Sequence, residues 1–261
     1  MRRFSQALAT VLALVVVAVI GLTAARNWMS PAQSDFTTPD GRPLVTAVQP
    51  GTVVVPAVGG QRGYDVSYPQ CRSTLPGGTS GFAIIGLNRG KPFTANPCFA
   101  RQWRWAATKE AAAVYINMAD PGQPGAWSYG NAIGQDSVRR LERAGVPENT
   151  TVWLDVESIN TWTDAARAVQ VINATMATLT AAGHPVGIYA APSHWFEITL
   201  NADVDVPVWL ALGRYQKESQ GRAAALAACQ DLAFGQALPT VVQYVARPRS
   251  AWIDHNVRCP T

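Results

Sequence analysis

Beyond Gly63 the chain alternates short apolar, β-prone runs with helix-like stretches, and this alternation restricts the possible folds more than any other feature. It is the pattern of a parallel sheet whose strands are joined by crossover helices. Strand-like runs are predicted at Gly63–Ser67, Phe82–Leu87, Ala112–Asn117, Thr151–Glu157, Val186–Ala190, Val208–Ala211, Val241–Val245 and Trp252–Asn256. Helices are predicted over Asn96–Lys109, Gly134–Ala144, Thr163–Ala182, Ser193–Leu200 and Gln220–Phe234. The third of these has the clearest frame: Thr163-Asp164 as a cap, Ala182-Gly183 as a stop and Pro185 beyond. Eight strands within about 200 residues fit a single-domain α/β fold, a small (β/α)8 TIM-like barrel, better than an open doubly wound sheet. No internal repeat is present.

The residues before that pattern are of two kinds. Arg2 and Arg3 precede an uncharged apolar stretch from Ala7 to Ala25, so residues 1–29 read as a signal peptide or membrane anchor. Small residues at Thr23-Ala24-Ala25 suit cleavage, whereas the length suits an uncleaved anchor. In either case the remainder is exported, secreted or tethered at the plasma membrane, with the arginines retained inside. Residues 30–60, rich in Pro, Ser, Thr and Gly, read as a linker, and 61–261 as the barrel domain.

Barrel enzymes place their chemistry at the C-terminal ends of the strands. Of the fifteen acidic residues after Gly63, four fall within strand-like apolar runs: Asp65, Asp155, Glu157 and Asp254. Asp155 and Glu157 stand two apart in Leu154-Asp155-Val156-Glu157-Ser158, and alternate strand residues share a face. Two converging carboxyl groups are what glycoside hydrolysis requires, about 5 Å apart for retention or about 6.5–9.5 Å for inversion. Asp65, Asp155 and Glu157 are therefore the candidates for the chemistry. Tyr189 and Gln243 face inward at strand ends, and Trp127 and Trp162 follow strands where an indole can stack on a sugar ring, so these four and Asp254 are candidates for holding substrate.

Cys71, Cys98, Cys229 and Cys259 form an even set without a CxxC pair, which favours two disulfides in an oxidising compartment over a zinc site. Three connectivities are possible. Pairing Cys71 with Cys98 and Cys229 with Cys259 closes two loops of similar length and is favoured. The net charge of +4 is not clustered, so nucleic acid is not an expected partner. His184, His194 and His255 share no ligand spacing, so no metal is expected. No Gly-x-Ser-x-Gly or dinucleotide glycine pattern appears, and no cofactor is expected. Asn149-Thr150-Thr151 and Asn173-Ala174-Thr175 match the glycosylation sequon.

Seven segments in order, Gly63-Tyr64-Asp65-Val66-Ser67, Phe82-Ala83-Ile84-Ile85-Gly86, Leu154-Asp155-Val156-Glu157, Val186-Gly187-Ile188-Tyr189-Ala190, Val208-Trp209-Leu210-Ala211, Val242-Gln243-Tyr244 and Ile253-Asp254-His255-Asn256, resemble the strands of glycoside hydrolase family 25 lysozymes. Within that family the chain is most similar to an exported actinobacterial glycoside-hydrolase-like group, domain of unknown function 1906. The resemblance implies a shortened barrel that cleaves the β-1,4 bond after N-acetylmuramic acid in peptidoglycan. It implies Glu157 as general acid, Asp155 as the residue positioning the substrate's acetamido group, and Asp65 and Asp254 in the same pocket. Two segments depart from the family pattern: the basic turn Leu87-Asn88-Arg89-Gly90-Lys91, and Val114-Tyr115-Ile116-Asn117-Met118 in place of a Tyr-His-Phe run. Another cell-envelope glycan is therefore open as substrate, and so is a non-catalytic glycan-binding module on the same barrel.

Overall fold

The apolar runs close on themselves. In a computed structural model, which describes residues 36–46, 60–77, 81–247 and 252–260, eight strands form a closed barrel. These are β2 (Arg62–Val66), β3 (Phe82–Gly86), β4 (Ala111–Asn117), β5 (Val152–Asp155), β6 (Val186–Ala190), β8 (Val208–Tyr215), β9 (Pro239–Ala246) and β10 (Ile253–Arg258). Five helices cover it: α1 (Phe99–Ala106), α2 (Ala126–Arg143), α3 (Ala165–Ala181), α4 (Pro192–Thr199) and α5 (Glu218–Ala228). The strands from β2 to β9 run parallel. β10 returns antiparallel to both β9 and β2, so no helix crosses over there, and only a 3-10 turn (Tyr68–Arg72) follows β2. The reading of residues 1–29 as a targeting segment lies outside the described residues.

Two apolar layers hold the barrel. One lies between the sheet and the helices, where Ile85, Ile116, Leu154, Ile172, Ile188 and Val242 are buried. The other fills the lumen with Phe82, Ile84, Trp153, Tyr189, Trp209 and Val241. Removing a buried side chain as large as Trp153 or Trp209 costs about 3–5 kcal/mol. Gly187 lies opposite Trp153 in the β5–β6 register, and a Cβ there would come within 2.4 Å of the indole. The lumen is thus plugged by aromatic rings up to the level where the polar strand ends begin.

Several local features differ from the expectations. Helix α2 starts eight residues before the predicted Gly134 because Gly130 and Gly134 do not break it. They let α3 approach: a Cβ on Gly130 would lie 2.4 Å from the Val171 carbonyl, and one on Gly134 would lie 2.5 Å from Thr178. Helix α5 stops at Ala228, where Cys229 turns away to its partner Cys259. Both disulfides, Cys71–Cys98 and Cys229–Cys259, have the favoured connectivity.

Part of the stretch read as linker lies on the fold. β1 (Leu44–Thr46) pairs in parallel with β7 (Asp203–Asp205), and Arg42 bridges to Asp203 at 2.7 Å. Asn173 on α3 fastens β1, accepting from Thr46 N at 3.2 Å and donating to the Leu44 carbonyl at 3.0 Å. Asn173 is fully buried and its amide is occupied in this way, so that sequon is not available for modification.

Candidate active site

At the C-terminal mouth of the barrel the lumen opens into a cleft of about 420 Å³, and the acids that the alternation singled out all face it. Asp65 comes from β2, Asp155 from the last position of β5, Glu157 from just beyond it and Asp254 from β10. Strand β5 stops at Asp155, but Val156 N still bonds the Tyr189 carbonyl at 2.9 Å. The chain therefore stays extended, and Asp155 and Glu157 reach the same space. Tyr189 and Gln243 line the cleft as expected, together with Tyr115, Asn117, His194, Trp209 and Arg214.

One side of the cleft is a closed hydrogen-bond chain. Asp65 Oδ2 accepts from Gln243 Nε2 at 3.0 Å and from Asn256 Nδ2 at 2.7 Å. Tyr189 Oη donates to Gln243 Oε1 at 2.8 Å, and Trp209 Nε1 donates to Asn256 Oδ1 at 2.8 Å. Tyr189 and Trp209 also touch, with ring centroids 4.4 Å apart. The floor of the cleft is thereby tied to the sheet beneath it. Burial and the nearby Asp254 nevertheless push the Asp65 carboxyl up to about 8 against the pull of its two donors.

The other side is less filled. Asp155 is 3% exposed, and its Oδ2 accepts from Asn117 Nδ2. Asn117 is itself clamped by Asn88, which exchanges hydrogen bonds with its backbone at 3.0 and 3.1 Å. No donor reaches Asp155 Oδ1. The neighbouring carboxyl group is that of Glu157, and two carboxyl groups in one buried space each resist ionisation of the other. Burial first, then the charges of Glu157 and Asp65, raise Asp155 well above the usual carboxylate range.

Glu157 keeps 28% of its side chain exposed, which leaves the carboxyl accessible from the cleft. Its backbone is held by Trp162, whose Nε1 donates to the Glu157 carbonyl at 2.9 Å. Burial raises the Glu157 carboxyl, while His194, with Nδ1 3.9 Å from Oε1, and the neighbouring Asp155 oppose that rise. Asp254 is pushed up to about 6 by burial, with Arg214 opposing and Glu157 adding to the rise. An acid–base group poised near neutrality, within reach of a bound sugar, is what such an arrangement can supply.

Not every residue proposed for the substrate reaches the cleft. Trp127 opens α2 and packs on Phe36 at 5.3 Å, away from the acids. Trp162 supports Glu157 through the backbone and packs against the outer apolar layer. Sequence reasoning did not select Asn117, Asn256, His194 or Arg214. The first two obey the same alternation as their acidic neighbours, Asn117 two positions after Tyr115 and Asn256 two after Asp254. His194 lies in the first turn of α4, and Arg214 follows an irregularity in the β8–β9 register, so no strand periodicity marks either. Of the other histidines, His184 bonds the Thr150 carbonyl at 3.1 Å, and His255 packs between Tyr64 and Tyr244.

A family model described as Lysozyme-like protein 1 matches residues 106–224, a span that includes Asp155, Glu157, His194 and Arg214 but neither Asp65 nor Asp254. No curated protein matches the chain. Among solved structures, a family 25 glycosyl hydrolase from Bacillus anthracis superposes with a TM-score of 0.53 at 15% identity, covering 77% of this chain and 89% of the other. A muramidase from Acremonium alcalophilum gives 0.54 at 17%, covering 77% and 94%. The modular autolysin LytC from Streptococcus pneumoniae, solved with a synthetic peptidoglycan ligand, gives 0.53 at 14%, covering 76% and 46%. The fold is thus that of the family 25 lysozymes.

Proposed function

We propose that this chain is a glycoside hydrolase of the bacterial cell envelope, acting on peptidoglycan or a related glycan. Glu157 is the general acid, Asp155 orients the substrate, and Asp65 and Asp254 shape the pocket. The observation that carries this reading is the meeting of four carboxyl groups in one open cleft, with Asp155 buried and Glu157 accessible. The muramidase and autolysin sharing the barrel add support from fold.

The free cleft and the reacting one differ in where a proton sits. Without substrate, burial favours the neutral form of Asp155. A sugar acetamido N–H placed against Asp155 would favour its ionised form, and the proton it gives up is taken by the adjoining Glu157 carboxyl. The acetamido oxygen attacks the anomeric carbon, the glycosidic C–O bond breaks, and its oxygen takes the proton from Glu157. Water then opens the cyclic intermediate, returning a proton to Glu157 and leaving one new reducing end.

The finer assignment follows the same reading: an exported member of the actinobacterial glycoside-hydrolase-like group, with residues 1–29 as signal peptide or anchor. Two disulfides suit an oxidising compartment outside the cytoplasm. The test is release of reducing ends from peptidoglycan and from arabinogalactan by the wild type and by Glu157→Gln. Release by the wild type alone supports the assignment. Wild-type binding without release would leave the second reading, a glycan-binding module on the same open cleft.

A further inference from the structure

Glu157 stands one residue past the reach of the sheet. Val156 N, bonded to the Tyr189 carbonyl, makes the last ladder bond of its strand, and the chain then leaves the barrel until α3 begins at Ala165. The Glu157 carbonyl is held from within that connection, by Trp162 Nε1 at 2.9 Å and by Asn160 N at 3.2 Å. Where the carboxyl points therefore depends on what holds residues 158–164.

What holds them is a buried acid outside the cleft. Asp120 lies three residues beyond β4 and is fully buried. Its N–H donates to the Thr161 carbonyl at 2.8 Å and its carbonyl accepts from Thr163 Oγ1 at 3.0 Å, so its backbone grips the connection on both sides of Trp162. Its carboxylate meets Arg167, in the first turn of α3, through a two-point fork: Nε to Oδ2 and Nη2 to Oδ1, each at 3.0 Å. Asp120 Oδ1 also accepts from Gly122 N at 3.1 Å, and Arg167 Nη2 donates to the Gln123 carbonyl at 2.7 Å. Gly122, at φ +78°, turns the chain over Thr163, where a Cβ would come within 3.1 Å of the hydroxyl.

A forked arginine–carboxylate pair fixes direction as well as distance. A staple that served stability alone would need only to join β4 to α3. Here the two backbone groups of Asp120 flank the one residue whose side chain reaches back to Glu157. We propose that Asp120, clamped by Arg167, is a positioning residue for Glu157: it fixes the Thr161–Thr163 backbone so that the Trp162 indole holds the Glu157 carbonyl and the carboxyl is aimed into the cleft. This rests on the reading of Glu157 as the general acid.

The test compares the wild type, Trp162→Phe, Asp120→Asn and the double variant by two measurements. One is kcat and KM for reducing-end release from peptidoglycan. The other is the titration of the Glu157 side-chain carboxyl by carbon-13 NMR, its signal assigned by its loss in Glu157→Gln. Trp162→Phe keeps a ring against the outer apolar layer and removes the N–H, whereas Asp120→Asn keeps the shape and removes the charge that directs the fork. Each single variant should lower kcat by about tenfold with KM changed by less than about twofold. As the freed carboxyl gains water, its titration should move down towards the ordinary carboxylate range.

Both changes act through one hydrogen bond, so the double variant should lose no more than the larger single loss. If Asp120→Asn does not fold, Arg167→Lys, which keeps the charge and gives up the fork, takes its place. Losses that add in the double variant would overturn the positioning role and leave the hydrolase reading intact. So would an Asp120→Asn protein of lower melting temperature whose kcat and Glu157 titration match the wild type. A wild type that releases no reducing ends, while the Glu157 titration still moves together in the variants, would overturn the hydrolase reading and leave the hold on Glu157 standing.

Discussion

The two sides of the cleft carry the same functional group in opposite states of completion. On the β2–β9–β10 side, Asp65 is enclosed by Gln243 and Asn256, which are enclosed in turn by Tyr189 and Trp209. On the β5 side, Asp155 has one amide partner and Glu157, and Glu157 faces open space with an imidazole 3.9 Å away. A satisfied buried network rigidifies, whereas an unsatisfied one awaits a partner. The difference divides the labour: the Asp65 side holds the shape of the floor, and the Asp155–Glu157 side meets the reacting bond.

The largest expected effect separates the two sides by activity. Glu157→Gln removes the proton donor and should lower the turnover of envelope glycan by about 10²- to 10⁴-fold, while stability changes by no more than about 1 kcal/mol. Asp65→Ala should do the reverse in kind. It leaves Gln243 Nε2 and Asn256 Nδ2 without an acceptor, at roughly 1–3 kcal/mol for each buried donor. Urea unfolding measures that loss, and a variant as stable as the wild type would mean that the Asp65 chain is not the scaffold described.

How far this division could be read in the sequence depends on periodicity. The period of two put Asp65, Asp155, Glu157, Tyr189, Gln243 and Asp254 on one face, and all six line the cleft. Partnerships across strands depend on register, so Asn117 beside Asp155 and Asn256 beside Asp65 became visible only once the barrel closed. Residues on helices and loops have no such rule. Trp127 and Trp162, chosen for their aromatic rings, serve packing and backbone support, while His194 and Arg214 arrive from a helix start and a strand irregularity. The helix predicted from Gly134 begins at Ala126, and the value of Gly130 and Gly134 inside it lies in contact with α3.

A smaller effect concerns pH. With Asp65 raised to about 8 and Asp254 to about 6, the folded protein binds more protons than the unfolded chain above pH 4. Stability is therefore fully present below about pH 4, where both states are protonated, and falls as the pH rises towards 8. Asp65→Asn keeps an oxygen to accept from Gln243 and Asn256 but cannot ionise, so its urea midpoint should change less between pH 5 and pH 8 than that of the wild type. A slope identical to the wild type's would place the titrating group elsewhere, on the Asp155 side.

The smallest effect tests the open side through the imidazole beside Glu157. Glu157 and His194 are both partly solvated, with 28% and 32% of their side chains exposed, so their attraction belongs near the aqueous limit. At 3.9 Å that amounts to about 1 kcal/mol, or somewhat under one pKa unit. His194 opposes the rise of the Glu157 carboxyl, so His194→Gln should raise it further. A general acid works only while protonated, and activity is lost as the pH climbs through its pKa. The alkaline limb of the pH–rate profile should accordingly move to higher pH by about half a unit or more, with the plateau rate little altered. A limb that stays in place would mean that the neighbouring Asp155, and not His194, sets the ionisation of Glu157, and the open side would then be controlled from within β5.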